Sequence, residues 1–242
     1  MPRTIKDPNV RRDEILDVTQ QFIYTKGYEQ MTIQDILDQL SISKGAFYHY
    51  FNSKQALLEA LITRMEEQGL AVLQPIMDDP SLSAVEKFNR YFDTAARWKT
   101  TRKDYLMAIL KIWYADENAL VRQKLMSGGM DLLVPHLAKM VRQGVNEGVF
   151  HVDYPDQTAA IVFFVMESLS DGFSALLLDA VHQKDVIQNL ETMTAACTDA
   201  VERVLGAEPG SLHLMDVDIL REWVIPSTNA ALYEAAEVHA GI

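Results

Sequence analysis

Residues Ser43-Lys44-Gly45-Ala46-Phe47-Tyr48-His49-Tyr50-Phe51-Asn52-Ser53-Lys54 crowd a helix cap, two lysines, a glycine and a run of ring-bearing side chains into one short stretch. That mixture has little use in a catalytic site; it suits a helix presented to the backbone and groove of duplex DNA. Ser43 is a good N-cap for a helix over 44–51, whose first turn leaves backbone amides free for a phosphate oxygen. Gly45 lies in that turn, where a missing Cβ permits close approach. Lys44 can reach a phosphate or a guanine edge, and Tyr48, one turn on, shares its side. Phe47 and Phe51, spaced i, i+4, form the apolar side that anchors the helix. Ser53 can cap the following helix and leave Lys54 at its N-terminal end, facing the same phosphates.

The elements that must position this stretch lie upstream. Thr32-Ile33-Gln34-Asp35 has capping-box form with Asp in the third helical position, and Ile33, Ile36, Leu37 and Leu40 follow as one apolar face. The link Gln39-Leu40-Ser41-Ile42 is short, so the two helices read as a helix-turn-helix. A longer helix precedes them, capped by Asp7 with Pro8 at its first position, lined by Ile15, Val18, Phe22 and Ile23, and closed by Lys26-Gly27.

Residues 11–58 resemble the N-terminal domain of the TetR (tetracycline repressor) family of bacterial regulators. The resemblance rests on Arg12, Ile15-Leu16, Phe22, Gly27-Tyr28, Thr32, Asp35-Ile36, Ile42-Ser43, Gly45, Phe47-Tyr48, Tyr50-Phe51, Lys54 and Leu57, all in register. Ser41 stands where the family usually has Gly, and Leu37 and Leu40 where Ala is common, so an altered turn or crossing angle is expected. In DNA recognition Lys44, Gly45 and Tyr48 are expected at base edges, Thr32, Gln34, Ser43, His49, Tyr50 and Lys54 on the backbone, and Ala46 is expected among the DNA-binding residues.

Charge is unevenly placed. Residues 1–55 hold seven Lys/Arg and seven Asp/Glu, so the remainder carries the whole net charge of −12. An acidic chain is a poor match for DNA binding in general; an acidic body would instead hold DNA to the one face where cations cluster. Cys197 is the single cysteine, which excludes an internal disulfide and a cysteine metal cluster. The N-terminus carries no apolar signal core, and the longest uninterrupted apolar run, Ala159 to Met166, is far short of a bilayer span. A cytoplasmic setting without membrane contact is expected.

The rest of the chain reads as all-α. Helix four is predicted from Lys54 to about Gln74, ending before Pro75. Ser83-x-x-Glu86 starts a helix through Phe88, Tyr91, Phe92, Ala95 and Trp98, and another runs from Asp104. A long helical stretch from Asn118 is predicted to break at Gly128-Gly129 and Pro135 and to close at Glu147-Gly148. Asp156 is predicted to cap an almost wholly apolar helix at about 157–180, and a heptad-like helix at 184–205 follows it. Beyond Gly206, helices at 212–224 and 228–240 are expected as extra cover. The predicted organisation is thus a three-helix head over 1–55, a ligand-binding and dimerisation body over 56–206, and additional C-terminal helices over 207–242.

What the body does follows from the resemblance. It implies a homodimeric repressor, with the helices near 157–180 and 184–205 forming the four-helix dimer interface. It also implies a palindromic operator in double-stranded DNA and a small-molecule effector, apolar or aromatic, whose binding moves helix four. Candidate lining residues are Met65, Trp98, Met107, Trp113, Met130 and Phe164. His136, His151, Asp153 and His182 fit no metal-ligand spacing, and no Gly-x-Ser-x-Gly, phosphate loop or dinucleotide fingerprint is present. No cofactor, metal or enzymatic activity is therefore expected. Three rivals remain: a small-molecule-binding or scaffold protein with weak or no DNA affinity, an activator of the same architecture, and a repressor governed by a protein partner.

Overall fold

A computed structural model describes residues 8–179 and 185–225. Asp7, His182 and the helix expected at 228–240 lie outside the described residues. Ten α-helices are present among them: α1 Pro8–Lys26, α2 Ile33–Leu40, α3 Lys44–Tyr48, α4 Lys54–Asp78, α5 Ala84–Thr100, α6 Lys103–Trp113, α7 Ala119–Glu147, α8 Pro155–Leu178, α9 Val186–Leu205 and α10 Val217–Val224. A single 3-10 turn, Asp116–Asn118, precedes α7.

The chain divides into two compact units. The first comprises residues 1–68 and 111–126, the second residues 69–110 and 127–242, so α4, α6 and α7 each run from one unit into the other. In the first unit α1 buries Ile15, Leu16, Thr19 and Ile23, a face rotated from the expected one, since Val18 and Phe22 stay half-exposed. Thr19 is harmless there because its hydroxyl donates to the Ile15 carbonyl at 2.7 Å. Ile36, Phe47, Phe51, Leu57, Leu58 and Leu61 are buried in the same unit.

The second unit has a large core on α4, α5, α7, α8 and α9, centred on Leu73, Phe88, Leu137, Val141, Phe163 and Val201. Gly172 of α8 faces Met193 of α9 so closely that a Cβ would lie 2.6 Å from the sulfur, so a larger residue there would displace the flexible Met193 side chain. A smaller cluster joins Leu177, Val186 and Leu190 to Leu220 of α10. Residues 207–216 are tied down by polar contacts. Asn89 donates to the Ser211 carbonyl at 3.0 Å and accepts from the His213 amide at 2.8 Å, and the buried Glu202 accepts from the Leu212 amide at 2.9 Å.

Several expected breaks are absent. α4 continues through Pro75 to Asp78, because Leu73 and Met77 on either side of the proline are buried in the core. α7 likewise runs unbroken through Gly128, Gly129 and Pro135, held by buried Leu125, Leu137, Ala138, Met140 and Val141. Burial here outweighs the hydrogen bond each proline removes. Asp156 is not a cap: α8 starts one residue earlier at Pro155, and Asp156 pairs with Arg142. The segment expected at 212–224 is helical only over α10, which Asp216 caps by accepting from the Asp218 amide. α8 is long and apolar enough to cross a membrane by length and composition. Glu167 and Asp171 sit in its middle turns, though, and a charge there costs about 2.5–3.5 kcal/mol in lipid.

Candidate nucleic-acid interface

Each helix around the exposed stretch is started by a side chain. Thr32 accepts from the Asp35 amide at 3.1 Å while the Asp35 carboxylate accepts from the Thr32 amide at 2.8 Å, a complete capping box on α2. Ser43 accepts from the Ala46 amide at 3.2 Å and starts α3; Ser53 accepts from the Ala56 amide at 3.0 Å and starts α4. Ser41 takes the left-handed conformation itself, φ 51°, and its amide donates to Asp38 and Leu37 carbonyls. The turn therefore keeps its shape without a glycine, at a local cost of about 1 kcal/mol.

α3 is anchored by one side and open on the other. Phe47 is fully buried, with Phe51 packed against it at 6.1 Å between centroids. Lys44, Gly45, Tyr48 and His49 are exposed, as are Thr32, Gln34 and Ser43, while Ala46, Tyr50 and Lys54 are half-buried. All ten expected DNA-facing residues thus lie in the first unit, on or beside α2, α3 and the start of α4.

The charges of the first unit are in part neutralised locally. Four acids of this unit are engaged: Asp17 by Arg64 at 2.7 Å, Asp35 by Lys26 at 2.6 Å, Asp38 by the Gln34 amide at 2.7 Å and Glu14 by Arg11 at 2.7 Å. Lys26 and the Thr32 donors hold the Asp35 carboxyl down to about 2. Three cations near α3 have no carboxylate partner among the described residues. Lys44 rests over the Tyr48 ring at 5.9 Å, and Arg12 over the Phe51 ring at 5.5 Å. Lys54 lies over the Tyr28 ring at 4.3 Å and donates to the Glu29 carbonyl at 3.1 Å. Partial burial lowers the Lys54 pKa, with Glu29 opposing the shift.

The motif carries Arg12 without assigning it a contact. In the structure it lines a recess of about 520 Å³ with Tyr48, His49, Tyr50, Asn52 and Thr63. The carboxylate of the recess, Glu59, is engaged by Lys124 at 2.5 Å. The recess thus offers a guanidinium with no ion pair among the described residues, beside hydroxyl, imidazole and amide donors, which suits a phosphate. Sequence spacing hides this, because Arg12 and the 48–52 segment meet only through folding.

The residues proposed for a ligand are divided between the two units. Met65 and Trp113 belong to the first unit; Trp98, Met107, Met130 and Phe164 belong to the second. Phe164 is 54% exposed, beside Ile161 at 50%, on the outer side of α8. No group of three possible metal ligands converges among the described residues. His151 instead closes α9: its amide donates to the Leu205 carbonyl at 2.8 Å, and its ring lies 2.8 Å from the Gly206 carbonyl.

Comparison with known proteins follows these two regions. The description "Bacterial regulatory proteins, tetR family" matches residues 15–61, and "Tetracyclin repressor-like, C-terminal domain" matches residues 110–175. The chain belongs to the TetR family of transcriptional regulators. The HTH-type regulator YfiR of Bacillus subtilis (strain 168) is 24% identical over 186 residues, spanning 74% of this chain and 86% of YfiR. TtgR of Pseudomonas putida, another HTH-type transcriptional regulator, is 25% identical over 169 residues, 67% of this chain and 79% of TtgR. A TetR-family regulator from Pectobacterium atrosepticum shares the fold with a TM-score of 0.62 at 18% identity, covering 84% of this chain and 98% of that one. SmeT, solved as a triclosan complex, shares it at 0.58 and 16% identity, with 84% and 95% covered. TetR-family membership implies operator DNA and a small-molecule effector, and the family is not enzymatic.

Proposed function

We propose that this TetR-family regulator is a homodimeric repressor that leaves its operator when a small molecule enters the helical body. The observation that carries the reading is the set of three cations, Arg12, Lys44 and Lys54, that make no ion pair among the described residues, around an exposed and capped α3. α3 enters the major groove, and two heads read half-sites one helical turn, roughly 34–36 Å, or more apart. Lys44, Gly45, Ala46 and Tyr48 face base edges. Thr32, Gln34, Ser43, His49, Tyr50 and Lys54 hold phosphates, and Arg12 joins them.

The dimer forms through α8 and α9. The exposed Ile161 and Phe164 give α8 an apolar outer side that a second copy would cover, which moves Phe164 from the effector site to the dimer face. The effector acts through α4, one unbroken helix from the Ser53 cap to the core anchors Leu73 and Met77. Trp98 is well placed to feel it: a Cβ at Gly69 of α4 would lie 3.6 Å from the Trp98 ring.

Fluorescence anisotropy with the chain's own upstream DNA tests the reading. Wild type should bind with an affinity that falls steeply as salt rises. Lys54→Ala and Arg12→Ala should each flatten the log–log salt slope by about one unit and weaken all sequences alike. Lys44→Ala should instead narrow the gap between operator and random DNA. Unchanged slopes in both phosphate variants would remove the phosphate assignments; no binding at any salt would favour the scaffold reading. Sedimentation equilibrium should give a dimer, and reporter output after gene deletion should rise for a repressor and fall for an activator.

A further inference from the structure

The recess beside α3 is lined by a carboxylate as well as a guanidinium, and a guanidinium takes a carboxylate by the same paired hydrogen bonds with which it takes a phosphate. Arg12 comes from α1 and Glu59 from α4, and both face the same space of about 520 Å³. The other α4 residues in its lining, Ala56, Ala60 and Thr63, are short, so Glu59 is the long side chain that α4 offers to it. Arg12 makes no ion pair among the described residues and rests over the Phe51 ring. A pair between Arg12 and Glu59 would fill the recess with the protein's own anion and close it to a phosphate.

Lys124 of α7 prevents this by engaging Glu59 at 2.5 Å. Its side chain is 69% exposed, and so open an ion pair adds little to the stability of a fold. The helix that presents it is nevertheless firmly set. Val121 and Leu125 beside Lys124 are buried, and two side chains brace the corner between α6 and α7. The buried Asn118 donates to the Ile112 carbonyl at 2.9 Å, and Arg122 donates to the Trp113 carbonyl at 2.6 Å. A braced corner thus ends in an ion pair of small structural worth, and the group it engages is the acid lining the DNA-facing recess. Beyond Lys124, α7 continues into the second unit.

We propose that Lys124 is a positioning residue for DNA binding, because it holds Glu59 away from an autoinhibitory contact with Arg12. With Lys124 in place, Glu59 is occupied and Arg12 is open to a phosphate. When α7 draws Lys124 off, Glu59 turns to Arg12 and stands in for that phosphate, and the head loses a DNA contact without unfolding. The proposal rests on the reading above that Arg12 holds a DNA phosphate.

The test follows the full chain binding its upstream DNA by fluorescence anisotropy across a salt series. Lys124→Met should weaken binding by up to about fivefold per head, the worth of the exposed Arg–Glu pair that DNA must then break. It should also flatten the salt slope toward that of Arg12→Ala, which a purely structural role would not do. Lys124→Arg should behave as wild type. Adding Glu59→Gln to Lys124→Met should restore affinity and slope, and Lys124→Met should cost nothing further in the Arg12→Ala chain. Without DNA, the NMR signal of the Arg12 Nε–H group should shift in Lys124→Met and return when Glu59→Gln is added. An unmoved Arg12 signal in a folded Lys124→Met chain would overturn the proposal. So would an equal loss of affinity when Lys124 is removed from the Glu59→Gln chain, which would mean that Lys124 acts on DNA by itself. If wild type binds no DNA, or Arg12→Ala leaves the salt slope unchanged, while the Arg12 signal still moves as described, the phosphate reading fails and the Arg12–Glu59 contact is upheld.

Discussion

The two units are stabilised in opposite ways. In the first, short helices are each begun by a particular side chain, Thr32, Ser43 and Ser53, and the exposed residues between them are fixed to within one turn. In the second, α7 passes through two glycines and a proline without a break, and α8 begins with no side-chain cap at all. Local chemistry places the atoms around α3; in the second unit Ser83 and Asp216 cap α5 and α10, but burial is what carries α7 and α8. An interface that reads a repeating polymer needs the first kind of control, whereas a body that must admit a ligand and shift can tolerate the second.

The sharpest way to break that contrast is to remove the one apolar anchor of α3. Phe47 is fully buried, and Phe47→Ala should cost about 3–5 kcal/mol. Because the body has its own core, DNA binding should vanish while hydrogen exchange in α8 and α9 stays slow. Simultaneous loss of protection in both units would show that the caps and the body core act as one cooperative element.

The same contrast explains what could be read in advance. The capping box Thr32–Asp35, the Ser43 and Ser53 caps and the Phe47/Phe51 side were all legible, since each depends on residues within four positions of one another. The role of Arg12 was not, because its approach to Phe51 spans much of the unit. Nor was the continuity of α4 and α7. Pro75 and Pro135 are local signals to stop, and only the burial of Leu73, Met77, Leu137 and Met140 by distant helices overrides them.

If burial does override local preference in the body, relieving the preference should stabilise it. Pro135 is exposed in the middle of α7, so Pro135→Ala removes no packing and restores a hydrogen-bond donor. A proline in a helix interior is disfavoured by about 3 kcal/mol, partly offset by its stiffening of the unfolded chain. A gain of roughly 1–3 kcal/mol in urea unfolding is expected. No gain would mean that α7 is already bent to suit the proline and that its shape is part of the switch.

Removing a cap should hurt the first unit more than the second. Thr32→Ala should cost about 0.5–2 kcal/mol and weaken DNA binding, because α2 has few other anchors. Ser83→Ala removes the matching box on α5 but leaves Ala84, Phe88 and Tyr91 buried. Its effect should fall at the low end of the same range. Equal losses would erase the distinction between a capped head and a packed body.

The smallest effect is one of pH. The Lys26 ammonium, with the Thr32 amide and hydroxyl, holds Asp35 at about 2, below its ordinary 3.8. A carboxylate depressed by folding stabilises the fold above its unfolded value and loses that contribution as pH falls through the folded one. The head should therefore weaken between about pH 4 and pH 2, and Asp35→Asn should be less stable near neutrality but flatter across that window. Glu86 in the α5 box is lowered in the same direction, chiefly by the Ser83 amide. Glu86→Gln should change the acid transition of the body little, because α5 stays anchored by Phe88 and Tyr91 when the box opens. Fluorescence of Trp98 against pH would follow the body, and chemical shifts of α2 amides the head; if the Glu86→Gln body loses as much as the Asp35→Asn head, caps govern both regions alike.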